Sequence, residues 1–198
     1  MSRPPTARSF PLALKLEGKK CLVVGQSASA AERASNLAAS GARVEIIAAL
    51  PSQELREIAG AHGFTLHERP YAARDLARAW LALLTDPDPA LATRIAADAE
   101  RERVFFCAVD SPDQSTYFHV AIARAGFVTL SISTEGKAPA LGRRLREELQ
   151  RLLDASSLTE FADALAELRE RTPSDERKSV LGALAAKLRL DGRLTIDE

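Results

Sequence analysis

The chain has 198 residues, 46% of them hydrophobic, so it can bury one substantial core with a smaller domain beside it. Lys and Arg together number 27, as do Asp and Glu, and this balance leaves no overall field that would attract nucleic acid or an anionic membrane. No apolar run approaches the roughly 18 residues of a membrane span. Residues 1–9 carry Arg3 and Arg8 without the apolar core of a leader. These features favour a cytoplasmic globular protein.

The first predicted unit is a strand, a helix and a second strand. "CLVVG" (21–25) is a continuous apolar run that ends in glycine, which is typical of a parallel strand buried on both faces. Residues 30–40 have a helical composition, and Gly41 supplies the expected stop. "ARVEIIAAL" (42–50) is the second strand. Together they predict a right-handed βαβ unit of a parallel sheet.

The same alternation continues to residue 110. Further strands are predicted within 63–71, 79–86 and 104–110, with a helix over 89–103 that has proline near its start. The first 110 residues are therefore predicted to form a doubly wound α/β domain.

After residue 110 the pattern changes. Short strands are predicted on either side of Gly126, and "FVTLSIST" alternates as a half-buried strand does. Pro139 begins a helix with leucines at helical spacing. Ser157 and Glu160 predict a capping box for the next helix, and one more helix follows Pro173. The last 60 or so residues are thus predicted to be helical.

The cysteines and histidines do not indicate a metal site. Cys21 and Cys107 lie within apolar strands, which favours buried free thiols over a disulfide. The three histidines are scattered without ligand spacing, so no resident metal is predicted.

The turn after the first strand has fewer glycines than a dinucleotide-binding turn usually has. Gly25 holds the first glycine position, Ser27 the second and Ala30 the third. Serine at the second position adds a Cβ where a pyrophosphate would approach the backbone. The helix N-terminus can still hold an anion, and the hydroxyls of Ser27 and Ser29 are further donors. The turn by itself leaves two readings open, a dinucleotide site and a purely structural turn.

The end of the second strand has no acidic residue. Ala48, Ala49 and Leu50 occupy the place where a carboxylate often binds the ribose hydroxyls. Any adenosine contacts there are predicted to use backbone groups and apolar surface.

Several segments in order resemble one family. These are "FPLALKLEGKKCLVVG", "AAERASNLAASGARVEIIA", "LLTDPDPALATRIAADA", "FFCAVDSP" and "LSISTEGKAPALGRRLREEL". They resemble the dehydrogenase/ferrochelatase module of siroheme synthases, the precorrin-2 dehydrogenases, over nearly the whole chain. The most specific segment is "STEGKAPALGRRLRE".

The resemblance implies NAD-dependent oxidation of precorrin-2 to sirohydrochlorin, and as a second reaction the insertion of Fe²⁺ or Co²⁺ as a substrate. It implies a Rossmann-like domain over 1–112, a strand and helix dimerisation segment over 113–153 and a helical domain over 154–198, in a homodimer. The repeated leucine faces of the C-terminal helices also favour a dimer. The family's aspartate matches Asp110, and a carboxylate at the carboxyl end of a parallel strand is suited to act as a general base.

The resemblance also assigns binding residues. Matched to the family, the cofactor contacts fall on Gly25, Ser27, Ala28, Ser29, Ala49 and Leu50. The substrate-binding segment contains Thr134, Gly136 and Lys137, and Lys137 is suited to a substrate carboxylate.

The sequence departs from the family in the turn, where Gln26 and Ser27 replace two glycines, and at Cys107, where asparagine is common. Metal insertion needs no nucleotide, so a chelatase without dehydrogenase activity stays open. A non-catalytic tetrapyrrole-binding protein is the third reading.

Overall fold

The computed structural model describes residues 9–109, 111–192, 195 and 196. Their contacts divide the chain into two units, one up to His119 and the other from Val120. Within the described ranges, no helix has the length and apolar character needed to cross a bilayer.

The first unit is a five-stranded sheet with every pair of neighbours parallel. The spatial order is β3-β2-β1-β4-β5. The strands are β1 Lys20–Val24, β2 Arg43–Ile47, β3 Thr65–His67, β4 Leu81–Leu84 and β5 Phe105–Ala108. The helices are α1 Ala28–Ala38, α2 Gln53–His62 and α3 Pro89–Glu102. The predicted doubly wound α/β architecture is confirmed.

The sheet is buried on both faces because its strands are apolar at consecutive positions. Leu22 and Val24 of β1 pack in a core on the α3 side with Phe106. Cys21 and Val23 pack in a second core with the alanines of α1. Cys21 and Cys107 are buried free thiols, as predicted, and burial raises the pKa of Cys21 to about 11.

Helix α2 was not predicted, although its two end signals are in the sequence. The Ser52 hydroxyl accepts a hydrogen bond from the Leu55 amide at 3.1 Å, which is an N-cap. Gly63 ends the helix at φ 67°, a left-handed conformation that glycine adopts without strain. The helix has little apolar periodicity, with Leu55 and Ala59 its buried residues, so its caps were the stronger evidence.

The second unit is a two-stranded antiparallel sheet followed by helices. Its elements are β6 Ala121–Ala125, β7 Val128–Ile132, α4 Pro139–Asp154, α5 Leu158–Arg171 and α6 Arg177–Ala185. The hairpin around Gly126 and the helix from Pro139 are as predicted. Ala123, Ala125 and Leu153 form the core of this unit.

The predicted capping box at Ser157 is wrong. Ser157 does begin α5, but its φ and ψ of −91° and 33° are not the extended values of an N-cap, and its hydroxyl makes no cap hydrogen bond. The Ser156 hydroxyl accepts from the Leu158 amide instead, at 3.3 Å.

Candidate functional site

A cleft of about 370 Å³ opens at the carboxyl ends of β1, β2 and β4. Strand order reverses between β1 and β4, because β2 and β3 lie on one side of β1 and β4 and β5 on the other. Ligands of open parallel sheets bind at such a switch point. Gly25, Ala48 and Ala49 line the cleft, together with Arg69, Asp86 and Arg94.

Close packing at the floor of this cleft requires glycine at position 25. Its amide donates to the Ile47 carbonyl at 3.0 Å. A Cβ on Gly25 would lie 1.9 Å from the Thr85 hydroxyl oxygen and 3.2 Å from the Ala30 Cβ. There is therefore no room for a side chain at the point where β1, β2, β4 and α1 meet. Allowing such close packing is one role of glycine in dinucleotide-binding turns.

The first turn of α1 follows directly. Ser27 is its N-cap residue, with extended backbone at φ −103° and ψ 176°, and its hydroxyl makes no cap hydrogen bond. Ala28 and Ser29 are the first helical residues, whose amides have no partner within their own helix. No acidic residue lies in this turn. The turn can therefore hold an anionic group through backbone amides and the Ser27 hydroxyl.

Gln26, which departs from the family's glycine, links three segments at the rim of the cleft. Its amide donates to the Asp86 carboxylate at 3.0 Å, across 60 residues of chain. Its side-chain oxygen accepts from the Leu50 amide at 2.8 Å. Its own carbonyl accepts from the Ser52 amide at 2.8 Å. Gln26 thus ties the turn after β1 to the segments after β2 and β4.

Gly25, Ser27, Ala28, Ser29, Ala49 and Leu50 were the predicted cofactor residues. Gly25 and Ala49 line the cleft itself. Leu50 is joined to the turn through Gln26, and its side chain is exposed. The other three begin α1, which follows the turn. These residues come from two stretches of sequence that adjoin at the ends of paired strands. Their contact with a cofactor stays a prediction.

Two cations of the cleft, Arg69 and Arg94, were not predicted from the sequence. Arg69 donates to both carboxylate oxygens of Asp75, at 2.8 and 2.7 Å, and the amide of Ala72 donates to the same carboxylate at 2.9 Å. Arg94 lies 5.4 Å from the centroid of the Tyr71 ring and donates to the Tyr71 carbonyl at 3.3 Å. Arg69 follows β3 and Asp86 follows β4 in the sequence. These positions could have indicated that both residues lie at the cleft, because the carboxyl ends of parallel strands meet at one edge.

Asp75 is buried, and its ionised form is stabilised by its partners. Burial by itself raises the pKa of Asp75, but the hydrogen bonds from Arg69 and Ala72 outweigh this and leave the pKa below its ordinary value. The buried carboxylate therefore holds the Arg69 guanidinium in one orientation at the cleft.

Asp75→Asn is expected to lower the free energy of unfolding by about 2 kcal/mol at pH 7, because it removes the charge that Arg69 binds. Because the pKa of Asp75 is lowered in the folded state, the ionised carboxylate stabilises the fold at pH values above its unfolded-state pKa of about 3.9. This stabilisation is lost as the pH falls further. The difference between wild type and variant should therefore be constant from about pH 5 to 8 and shrink below about pH 4. Urea unfolding across pH measures it. Glu68→Gln, which breaks an exposed pair with Arg56, should change nothing measurable. A constant difference down to pH 2 would contradict the assignment.

Thr134, Gly136 and Lys137 lie together in the second unit, in the loop between β7 and α4. The Lys137 amide donates to the Thr134 carbonyl at 3.0 Å. Gly136 has φ 72°, and the preceding Glu135 also has positive φ, so the loop is a tight turn. The Lys137 ammonium lies 3.6 Å from the Glu135 carboxylate, and most of its side chain is exposed. Binding of substrate by this loop stays a prediction.

Asp110, the predicted general base, lies outside the described residues. Its neighbours follow the carboxyl end of β5. The Val109 amide donates to the Leu84 carbonyl at 3.0 Å, and the Ser111 amide donates to the Ala108 carbonyl at 3.2 Å. Among the residues with described positions, no group of three acidic, histidine or cysteine side chains forms a candidate metal site.

Two family models match the chain in order. The family described as "Putative NAD(P)-binding" matches residues 12–121, and the central region of a sirohaem biosynthesis protein matches residues 128–152. The first match spans the sheet, the turn and the cleft.

Siroheme synthases are similar to the chain in sequence. That of Ectopseudomonas mendocina (strain ymp) is 33% identical over 147 residues, covering 74% of this chain and 31% of the relative. That of Gluconacetobacter diazotrophicus is 35% identical over 162 residues, covering 79% and 33%. That of Escherichia coli (strain K12 / DH10B) is 32% identical over 144 residues, covering 73% and 32%. The matched region is about a third of the length of these curated relatives.

The fold is similar to that of a solved structure of SirC, a precorrin-2 dehydrogenase. The TM-score is 0.69 with 20% sequence identity, and 89% of each chain is covered. At this identity the likeness establishes the fold. Taken with the two family matches and the switch-point cleft, it leads to one conclusion: the chain belongs to the family of the siroheme synthase N-terminal module, with an NAD(P)-binding domain.

Proposed function

We propose that the chain oxidises precorrin-2 to sirohydrochlorin with NAD as the oxidant, in siroheme biosynthesis. The observation that carries this proposal is the Gly25 turn at a switch-point cleft, in a chain that matches both family models in order. Residues 1–112 bind the nucleotide in this proposal, 113–153 form the dimerisation segment and 154–198 form the helical domain. The cytoplasmic location expected from the sequence belongs to the same proposal.

The residues of the cleft fit a dinucleotide. Bound NAD would supply the acceptor for the hydride that the substrate loses. Without a Cβ, Gly25 lets the turn after β1 pack closely against Thr85 and Ala30, and the first turn of α1 provides amides for the pyrophosphate. Arg69 and Arg94 add positive charge to the cleft. Ala48 and Ala49 present no carboxylate, so the ribose is held through backbone groups and apolar surface.

Asp110 acts in this proposal as the general base. Oxidation would remove a hydride and a proton from the substrate, and bound NAD would supply the acceptor for the hydride. The Asp110 carboxylate accepts the proton. This role is supported by the place of Asp110 in the sequence, after β5. The carboxyl end of β5 lies on the same edge of the sheet as those of β1 and β4. Thr134, Gly136 and Lys137 bind the substrate, with Lys137 directed to a carboxylate.

The test is anaerobic turnover of enzymatically generated precorrin-2 by the purified full chain, with and without NAD. Absorbance of both sirohydrochlorin and NADH is followed, and equal amounts of the two are expected. No product with NAD present would overturn the proposal. Tight binding of sirohydrochlorin without either reaction would instead select a non-catalytic binding protein.

A second candidate, metal insertion without oxidation, is favoured by Gln26. This residue stands where the family has glycine, and its amide donates to Asp86 and so is not free for a phosphate. A chelatase would take Fe²⁺ or Co²⁺ as a substrate, with Asp110 accepting the pyrrole protons that the metal displaces. Metal insertion into supplied sirohydrochlorin, together with no NADH from precorrin-2, would select this function.

The proposed homodimer is supported by apolar surface on the second unit. β7 pairs with β6 along one edge, and its other edge is unpaired among the described residues. Residues Val128, Leu130 and Ile132 alternate as predicted, yet Leu130 is 37% exposed, and the neighbouring Phe127 is 64% exposed. α4 packs mainly on β6, so among the described residues this part of β7 is left largely uncovered. A two-stranded sheet with an open apolar edge is marginal alone, and a second copy would cover it.

Light scattering is expected to give twice the chain mass of 21.4 kDa at micromolar concentration. Leu130→Arg should shift the protein to monomer, because it puts a charge in the covered surface. Thr129→Arg, on the opposite face of β7, is the matched control and should leave the dimer intact. A wild-type monomer would contradict the dimer, and an equal loss in both variants would show that this face is not the one covered.

A further inference from the structure

The first unit contains a cluster of polar side chains that the cleft does not include. The charge of Arg33 on α1 acts on three groups of this unit, Cys107 of β5, Tyr117 and His119, and we call these four residues the Arg33 cluster. Tyr117 packs against the core on the α1 side of the sheet, which also contains Ala30 and Ala34 of α1. The rings of Tyr117 and His119 meet edge to face with centroids 5.4 Å apart.

Two buried donors in this cluster have no partner among the residues that the structure describes. The Nε–H of Arg33 and the hydroxyl of Tyr117 are shielded from solvent and make no hydrogen bond among the described residues. Within the same ranges, Arg33 has no carboxylate at ion-pair distance. Each buried polar group without a partner costs about 1–3 kcal/mol, so such groups are rare in folded proteins. Two on one side of the sheet leave donors that an acceptor group of a ligand can use.

The protonation states of this cluster suit an anionic ligand. Burial raises the pKa of Tyr117 well above its ordinary value, so its hydroxyl keeps its proton. Burial, followed by the charge of Arg33, lowers the pKa of His119 to about 4, so its ring is neutral at pH 7. Burial also raises the pKa of Cys107, although Ser115 and Arg33 oppose this. The cluster therefore has one cation, a phenolic donor and no anion, which matches a carboxylate ligand.

The cluster lies toward the carboxyl end of β5. Cys107 precedes the last residue of this strand, and Asp110 is three residues further along the chain. Tyr117 directly follows Thr116, whose amide donates to the Phe106 carbonyl at 2.7 Å, so Tyr117 is held beside the strand. We propose that Arg33 and the Tyr117 hydroxyl bind a peripheral carboxylate of the tetrapyrrole substrate. This inference rests on the proposed function and adds a substrate subsite to it.

The test is anaerobic titration of the full chain with sirohydrochlorin, followed by absorbance. Arg33→Gln is expected to weaken binding about 10- to 100-fold, because it removes a charge-assisted hydrogen bond. Arg33→Lys keeps the charge without the bidentate geometry, so its affinity for sirohydrochlorin should lie between those of wild type and Arg33→Gln. Arg43→Gln is the matched control, since Arg43 is an exposed arginine at the amino end of β2, and it should bind as the wild type does. NADH affinity, measured by fluorescence, should be unchanged in all of them.

Tyr117→Phe separates ligand binding from a structural role. It should weaken sirohydrochlorin binding about fivefold, through loss of one hydrogen bond. In the ligand-free protein it should raise Tm, because it removes a buried hydroxyl that has no internal partner. A hydroxyl with a structural role would give a lower Tm. This variant and Arg33→Lys keep the test decisive should Arg33→Gln fail to fold.

The outcomes separate this proposal from the proposed function. If wild type oxidises precorrin-2 and Arg33→Gln and Tyr117→Phe bind sirohydrochlorin as tightly as wild type, the carboxylate subsite is wrong and the function stands. If wild type neither binds sirohydrochlorin nor turns over precorrin-2, both are wrong. Selective weakening in the Arg33 and Tyr117 variants supports the subsite.

Discussion

Gly25→Ala is expected to abolish measurable NADH binding and to lower the free energy of unfolding by about 2–3 kcal/mol. The added Cβ would lie 1.9 Å from the Thr85 hydroxyl oxygen, well inside contact distance. Thr85 is buried and β-branched, so its side chain has few alternative positions. Relief of the clash requires β1 and β4 to separate where the cleft begins, which displaces the turn that holds the pyrophosphate in the proposed function.

A double variant identifies the cause. Thr85→Ala removes the clashing atom, so Gly25→Ala combined with Thr85→Ala should recover most of the stability lost by Gly25→Ala alone. The contact at 3.2 Å to the Ala30 Cβ remains in the double variant, so NADH binding should recover less than stability does. Urea unfolding and NADH fluorescence titration measure the two effects.

Gly60→Ala is the matched control for the glycine substitution itself. Gly60 lies within α2, and a Cβ there would meet no atom within 4 Å. Alanine should therefore stabilise the protein by about 0.5–1 kcal/mol and leave NADH binding unchanged. An equal loss of stability in Gly60→Ala and Gly25→Ala would show that the effect does not come from the contact with Thr85.

Asp110→Asn is expected to lower kcat for precorrin-2 oxidation by a factor of about 10² to 10⁴. Asparagine has nearly the same shape but cannot accept the proton. Binding of NADH and of sirohydrochlorin should change by less than about threefold, because the proposed contacts to both ligands come from other residues. Single-turnover kinetics with saturating NAD separate the chemical step from binding.

Asp113→Asn controls for the loss of a nearby negative charge. Asp113 is exposed in the short turn that follows, and it should retain full activity. If Asp110→Asn keeps normal turnover, the proposed base is wrong, and the oxidation proposal loses the residue on which its proton transfer depends. If both variants lose activity equally, the loss would come from the removal of negative charge in this loop and not from the removal of one general base.

The local organisation of the nucleotide half could be predicted from the sequence. The run "CLVVG" is apolar at every position before Gly25, and such a run fits a strand with both faces covered. Helical composition between two such runs requires a crossover, and crossovers are right-handed. The carboxyl ends of the strands, where Gly25 and Ala49 lie, were therefore identifiable as one edge.

The partners across that edge depended on the tertiary structure. Gln26 meets Asp86 across 60 residues because β1 pairs with β4, and residue periodicity does not encode which strands are neighbours. Among the described residues, no group fully covers Leu130 and no acceptor meets Arg33 Nε or the Tyr117 hydroxyl, and these absences are likewise a property of packing. A sequence pattern indicates which residues prefer burial or hydrogen bonds. Only the assembled fold decides which of them lack a partner, because that depends on contacts between segments distant in the chain.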